Sequence, residues 1–278
     1  MTVIMFHRRA LPALFRPLAQ QQQQQQIRRQ FHASSRRHQD GAPPAAGEAT
    51  ETVLGSRWLS DLRAEAERLS SEGKGEGKDA AARAVLRRIE GGWLELLAGS
   101  EGFLVERDLR GLDNYPVAWG EMFIRMLGHV NNIVYNRWAE SSRVNWLGHL
   151  SRGSGPEHRK AWGDIMSPRS VGLIMKSIKT DYKLPVAYPD SITVLHKLIR
   201  KPTAESTSLD LECVILSHDH RRAAARCVED IVVYDYRRAR KTAVPGFMGE
   251  VLGRYFERQE ETRRRTVGEI LEMRKSLA

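Results

Sequence analysis

Four stretches in the second half of the chain alternate apolar and polar positions with period two, the spacing of a half-buried strand. Val171 to Asp181 carries Val171, Leu173 and Met175 in alternation, and Ser191 to Arg200 carries Ile192, Val194, His196 and Leu198. Ser206 to Ser217 is the clearest: Thr207, Leu209, Leu211, Cys213 and Ile215 face one way, and Ser208, Asp210 and Glu212 face the other. Ala223 to Tyr236 completes the set, with His218-Asp219-His220 as the turn before it. A hairpin centred near Asp219 and His220 sets Cys213 opposite Cys227. In a reducing compartment these are two small buried thiols. Upstream, Val117, Trp119 and Glu121 alternate and predict one more short strand.

Residues 131–150 follow a helical period instead. Val130, Val134, Trp138, Ser141 and Val144 form one stripe, Tyr135, Ala139 and Trp146 a second stripe almost opposite, and Asn132, Asn136, Glu140 and Arg143 a polar one between. A helix apolar on two sides is predicted to be covered by more than one neighbour. Asn131 is its predicted N-cap. Two further helices are predicted over Arg57 to about Ser70 and Lys78 to Leu97, and a last one from Gly246 onward. In that last helix Val251, Leu252, Tyr255 and Phe256, then Val267, Ile270 and Leu271, are placed to pack, and Glu257 to Arg265 reads as a solvated run with intrahelical ion pairs. The segment SEGKGEGK at 71–78 has the look of a phosphate loop, but its first glycine is misplaced and Asp79 stands where Ser or Thr should be; it reads as a turn. One buried helix followed by four consecutive strands predicts an α+β fold, a curved antiparallel sheet wrapped around a long central helix.

Composition changes this picture mainly at the amino end. The 278 residues are 41% hydrophobic, enough for one sizeable core, and no apolar run approaches a membrane span. The net charge of +10 belongs mostly to residues 1–39, where arginines occur without any acid, so the reading is of no nucleic-acid partner. That Arg-rich, acid-free stretch, with Arg29-Gln30-Phe31-His32-Ala33-Ser34 as a cleavage pattern, reads as a mitochondrial presequence and predicts a matrix location. Residues 40–55 read as a disordered linker, 56–98 as a helical extension, 113–245 as the main domain and 246–278 as a C-terminal helix. Two cysteines and the lone HDH turn supply no metal site.

The words Gly128-His129-Val130-Asn131-Asn132, a following Tyr135, and Glu140 resemble the hot-dog thioesterases of the 4-hydroxybenzoyl-CoA type, and SIKTDYKLPVAYPDSITVLHKL resembles that superfamily's second and third strands. The resemblance covers about residues 113–240 and extends to the superfamily's fungal mitochondrial branch. It implies a hot-dog fold, a homodimer or higher oligomer with sheets joined edge to edge, an acyl-CoA substrate bound between protomers, and no cofactor. The thioester carbonyl is then expected at the amino end of the central helix, where unpaired N–H groups and the helix dipole stabilise an oxyanion.

The family's usual Asp, three residues before Gly128, is Arg125 here, and the stretch Glu121 to Leu127 is about two residues longer than a tight connection needs. Glu121 is the nearby upstream carboxylate, the candidate general base or nucleophile. Asn131 and Glu140 complete the candidate catalytic set, and Gly128, His129, Val130, Asn132 and Tyr135 the candidate substrate-binding set. Glu140 has a second reading, an ion pair with Arg143. Three outcomes stand open: hydrolysis of an acyl-CoA through Glu121, a non-catalytic hot-dog protein that binds an acyl ligand or serves as a subunit of a mitochondrial assembly, or a gene-model error at 121–127.

Overall fold

The computed structural model describes residues 54–72, 76–122, 128–167 and 170–278. The presequence, most of the linker, the centre of the 71–78 turn and Arg125 lie outside the described residues. Two helices open the described chain, α1 (Trp58–Glu72) and α2 (Glu76–Gly99), the second kinked at Gly92. Strand β1 (Leu112–Pro116) precedes the central helix α3 (Asn132–Arg152) and a short helix α4 (Arg159–Ile165). Then come β2 (Val171–Tyr182), β3 (Ser191–Leu198), β4 (Ser208–Ser217), β5 (Arg222–Asp235), the two-residue β6 (Arg240–Lys241) and the long α5 (Gly246–Leu277).

Every strand pairing is antiparallel, in the order β1-β3-β4-β5-β2, with β6 beside the end of β5. The four strands read from alternation are all present, and Cys213 does pair with Cys227 across the β4–β5 hairpin. Both thiols are free and buried. This is the α+β hot-dog arrangement: α3 lies on one sheet face, where Val134, Tyr135 and Trp138 share a core with Val194, Cys213, Ile215 and Cys227. Nearer its carboxyl end, Trp146, Leu147 and Leu150 pack with Leu209, Leu211, Ile231 and the first turns of α5. Gly111 marks how closely the chain approaches the helix: a Cβ there would stand 2.0 Å from the Ser142 hydroxyl.

Several expectations need correction. Residues 119–121 form a 3-10 turn, not a strand. Pro116 has no N–H to continue a ladder, and Glu121 bends back to accept from the Ala118 amide at 2.9 Å, a local bond that competes with strand pairing. Helix α3 is not apolar on two buried sides. Ser141 is exposed and Val144 is 45% exposed, so the sheet covers one broad face only. The polar positions of β4 do not face water throughout: Glu212 is buried, paired with Lys197 and Arg226, which in turn meet Glu101 just past the end of α2. Trp93, Leu94 and Phe103 pack on Leu195, Val214 and Leu216, so the extension covers the outer sheet face.

Helix α5 departs from its reading in two ways. Leu271 is exposed, and within the charged run Gln259 and Thr262 are buried. Gln259 bonds the Leu198 N–H and C=O, both at 2.9 Å, finishing β3 where no strand partner continues. Ions of that run pair with other elements, Glu257 with Lys201 and Arg258 with Glu106, as well as along the helix, Arg263 with Glu260.

Candidate active site

The amino end of α3 is assembled by three short connections. Asn131 accepts from the Ile133 amide at 3.0 Å through its side chain, the cap its residue type predicts. Its own amide donates to the Glu121 carbonyl at 3.0 Å, and Met122 bridges to Val130. Those two links hold Glu121 and Met122 against the residues that open the helix. Gly128, two residues before Val130, stands at φ +66°, a left-handed conformation that glycine adopts without a Cβ penalty.

The Glu121 carboxylate is half-buried. One oxygen accepts from Ala118 N and the other from Trp138 Nε1 at 3.2 Å, a residue one face over on α3. The Asn132 amide, first in the helix, has no acceptor among the described residues. The Glu121 main chain is thus tied to the start of α3, and its carboxylate turns to Trp138 on the same helix; a carboxylate near the positive end of a helix is the pair needed to deprotonate a water and hold a developing oxyanion.

The other candidates divide. His129 is half-buried, with Nδ1 3.0 Å from the Val130 carbonyl. Val130 is fully buried and donates to the Val186 carbonyl, so its side chain serves the core. Asn132 is exposed, and its carbonyl accepts from the Tyr182 hydroxyl at 3.2 Å. Tyr135 is buried, its hydroxyl accepting from Val186 N at 2.9 Å, and burial pushes that hydroxyl's pKa up. It clamps the β2–β3 connection. The structure thus gathers Glu121, Asn131, Asn132, His129 and Gly128 at one place. Glu140 is not among them: eight residues on from Asn132, it lies about 12 Å along the helix.

Nor does Glu140 form the expected ion pair with Arg143. Arg143 reaches into the sheet and meets Glu229 at 2.7 Å. Glu229 is fully buried, 3.5 Å from His196 Nε2, while His196 Nδ1 lies 3.0 Å from the Ser142 hydroxyl. Burial acts to raise the Glu229 pKa, but His196 and Arg143 outweigh it and hold the carboxyl below its ordinary range. Sequence reading missed this chain of groups. Its signal was present: Glu229 interrupts the apolar row Cys227, Ile231, Val233 on β5, and His196 the row Val194, Leu198 on β3.

Beyond Arg143 a cavity of about 410 Å³ opens between α3, α4 and the sheet. Leu147, Leu173, Leu209 and Ile231 line it, and Glu140 and Arg143 are its charged members. Among the described residues there is no cluster of His, Cys, Asp and Glu fit for a metal, and no helix long and apolar enough to cross a membrane.

Residues 117–252 match the family model of the thioesterase-like superfamily. Among solved structures, the chain is similar to a thioesterase from Thermus thermophilus complexed with coenzyme A and zinc (19% identity, 56% of this chain and 97% of that one, TM-score 0.41). It is also similar to a Staphylococcus aureus protein in complex with CoA (15%, 52% and 82%, 0.42) and to a probable thioesterase from Escherichia coli (19%, 51% and 95%, 0.40). No curated protein matches the sequence.

Proposed function

Residues 117–252 belong to the thioesterase-like superfamily, and from that premise we propose that the protein hydrolyses an acyl-CoA to a free acid and coenzyme A. One observation carries the reading: the Met122–Val130 bridge returns Glu121 to the capped start of α3 although Arg125 holds the usual acid's position. The Glu121 carboxylate takes a proton from water as that water attacks the thioester carbonyl. The oxyanion is held by the Asn132 amide and the helix dipole. Collapse of the tetrahedral intermediate breaks the C–S bond, and the proton on Glu121 passes to the leaving thiolate, giving acid and CoA with no cofactor or metal in the balance.

The acyl chain runs along α3 to the cavity at Arg143. The separation of about 12 Å between Asn132 and Glu140 suits a long chain and leaves a short one outside. The acid-free, Arg-rich segment at 1–39 supports import into the mitochondrial matrix. The outer edge of β2 has no strand partner among the described residues, and Ile133 and Tyr182 are exposed nearby; both support a homodimer joined along that edge.

A second reading, acyl binding without turnover, is favoured by one fact: both Glu121 oxygens already accept hydrogen bonds. Thiol release from acetyl-, hexanoyl- and decanoyl-CoA by the full chain separates the two. Turnover rising with chain length is expected. A folded protein that turns over none of them, yet binds decanoyl-CoA, would establish the second reading.

A further inference from the structure

The helical extension and the tip of the β4–β5 hairpin enclose a cavity of about 270 Å³ on the sheet face opposite α3. Arg57, Arg63, Arg221 and Arg222 line it together with Trp58 and Trp93, and no carboxylate is among the lining residues. A second cavity of the same size adjoins it, sharing Trp58 and Arg222 and adding Lys183; its one acid, Glu101, is taken by Arg226. Arg57 and Arg63 have partners four residues on along α1, Asp61 at 3.9 Å and Glu67 at 2.8 Å. Arg221, Arg222 and Lys183 make no ion pair among the described residues. Several guanidinium forks and two indoles lining one cavity suit a phosphorylated base: the forks can meet phosphate oxygens two at a time, and the aromatic lining suits the ring.

Arg221 sits at φ +49°, a left-handed conformation that costs a side-chain-bearing residue what glycine does not pay. A hairpin tip of this kind favours Gly or Asn, so the structure keeps a strained arginine where a relaxed residue would serve the turn better.

We propose that this groove binds the 3′-phosphorylated ADP end of coenzyme A, with Arg221 and Arg222 on phosphate. The inference rests on the thioesterase reading for the identity of the nucleotide, and most of the site is built by residues outside 117–252. Position supports it. Lys183 and Leu184 both donate to the Ala224 carbonyl, at 2.8 and 3.1 Å, so Lys183 lies beside the hairpin strand two residues from Arg222. The preceding residue, Tyr182, touches Asn132 at the start of α3. From strand spacings the groove mouth and the helix start are on the order of 15–20 Å apart, around the same end of the sheet. The flexible arm of coenzyme A spans a distance of that order.

The test is calorimetric titration of the full chain with adenosine 3′,5′-bisphosphate and with CoA, beside the double variant Arg221→Gly, Arg222→Ser. Glycine accepts the φ at 221, so the hairpin keeps its turn. The variant is expected to bind both probes at least about tenfold more weakly. For decanoyl-CoA its KM should rise with little change in kcat, while hydrolysis of decanoyl-N-acetylcysteamine, which has no nucleotide, stays at the wild-type rate. Equal affinity for both probes in the two proteins overturns the proposal even if both hydrolyse decanoyl-CoA. Arginine-dependent bisphosphate binding by a protein that hydrolyses neither thioester upholds the groove and removes the catalytic reading alone.

Discussion

The two faces of the sheet bury charge in opposite ways. On the face under α3 the rows are apolar, and one chain of groups, Ser142, His196, Glu229 and Arg143, crosses them. On the outer face Lys197, Glu212 and Arg226 stand in one cluster with Glu101 and Phe103, just past the end of α2. Lys197 lies 3.0 Å from Glu212 and 4.6 Å from the Phe103 ring centre, and Arg226 bonds both Glu212 and Glu101. The outer cluster has several partners for each ion; in the inner chain a single cation supports Glu229, aided by His196. A charged position in a strand therefore does not by itself mark a wet face. It marks a wet face or a covered one that brings its own counter-ions, and only the covering element decides between them.

The largest expected effect follows from that redundancy. Glu229→Ala leaves Arg143 and the fully buried His196 without their carboxylate and should cost about 3–5 kcal/mol, read from urea unfolding. Lys197→Met keeps the stem over Phe103 and leaves Glu212 with Arg226, so about 1.5–3 kcal/mol is expected. A larger loss for Lys197→Met than for Glu229→Ala would break the comparison.

Acid titration sharpens it. Burial acts to raise the pKa of Glu212, and Lys197 and Arg226 more than offset it; Glu229 is held low in the same sense. Both carboxyls therefore protonate in the folded protein below their ordinary value of 4.5. The unfolded chain takes up its protons first as pH falls. The stabilisation is complete above about pH 4.5 and drains away through the lower folded values. Urea midpoints at pH 7, 5, 4 and 3 should fall below pH 4.5, and less steeply in Glu229→Ala.

The smallest effect lies where α3 begins, away from both ion clusters. Asn131→Ala removes the bond to Ile133 N and should cost about 1 kcal/mol. A loss as large as that of Glu229→Ala would mean that this end of the helix bears on the sheet core.

Most of the fold was legible in the sequence because period-two rows write themselves into a strand whose one face is apolar; β2 to β5 and the Cys213–Cys227 register are examples. The cap at Asn131 was legible because its chemistry is local. What was not legible depends on contacts far along the chain. Val144 is a helix-stripe residue in sequence and an exposed one in space, because nothing among the described residues folds back over it. Arg143 chose Glu229, 86 residues away, over Glu140 on its own helix. At the candidate site, Glu121 could be named as a carboxylate, but only the Met122–Val130 bridge puts it beside Asn131. The arginine groove needs the extension and a hairpin tip more than a hundred residues apart in sequence, which no local pattern joins.

The proposed hydrolysis stands or falls with Glu121 as its base. The most direct measurement is kcat for decanoyl-CoA in the wild type and in Glu121→Gln. Glutamine matches the shape and keeps one oxygen, which can accept from Ala118 N or from Trp138 Nε1 but not from both, so circular dichroism and a urea midpoint check that the fold is unchanged. Loss of a positioned general base predicts a fall in kcat of about 10²–10⁴-fold with KM little altered. A variant that turns over decanoyl-CoA at the wild-type rate would contradict the account.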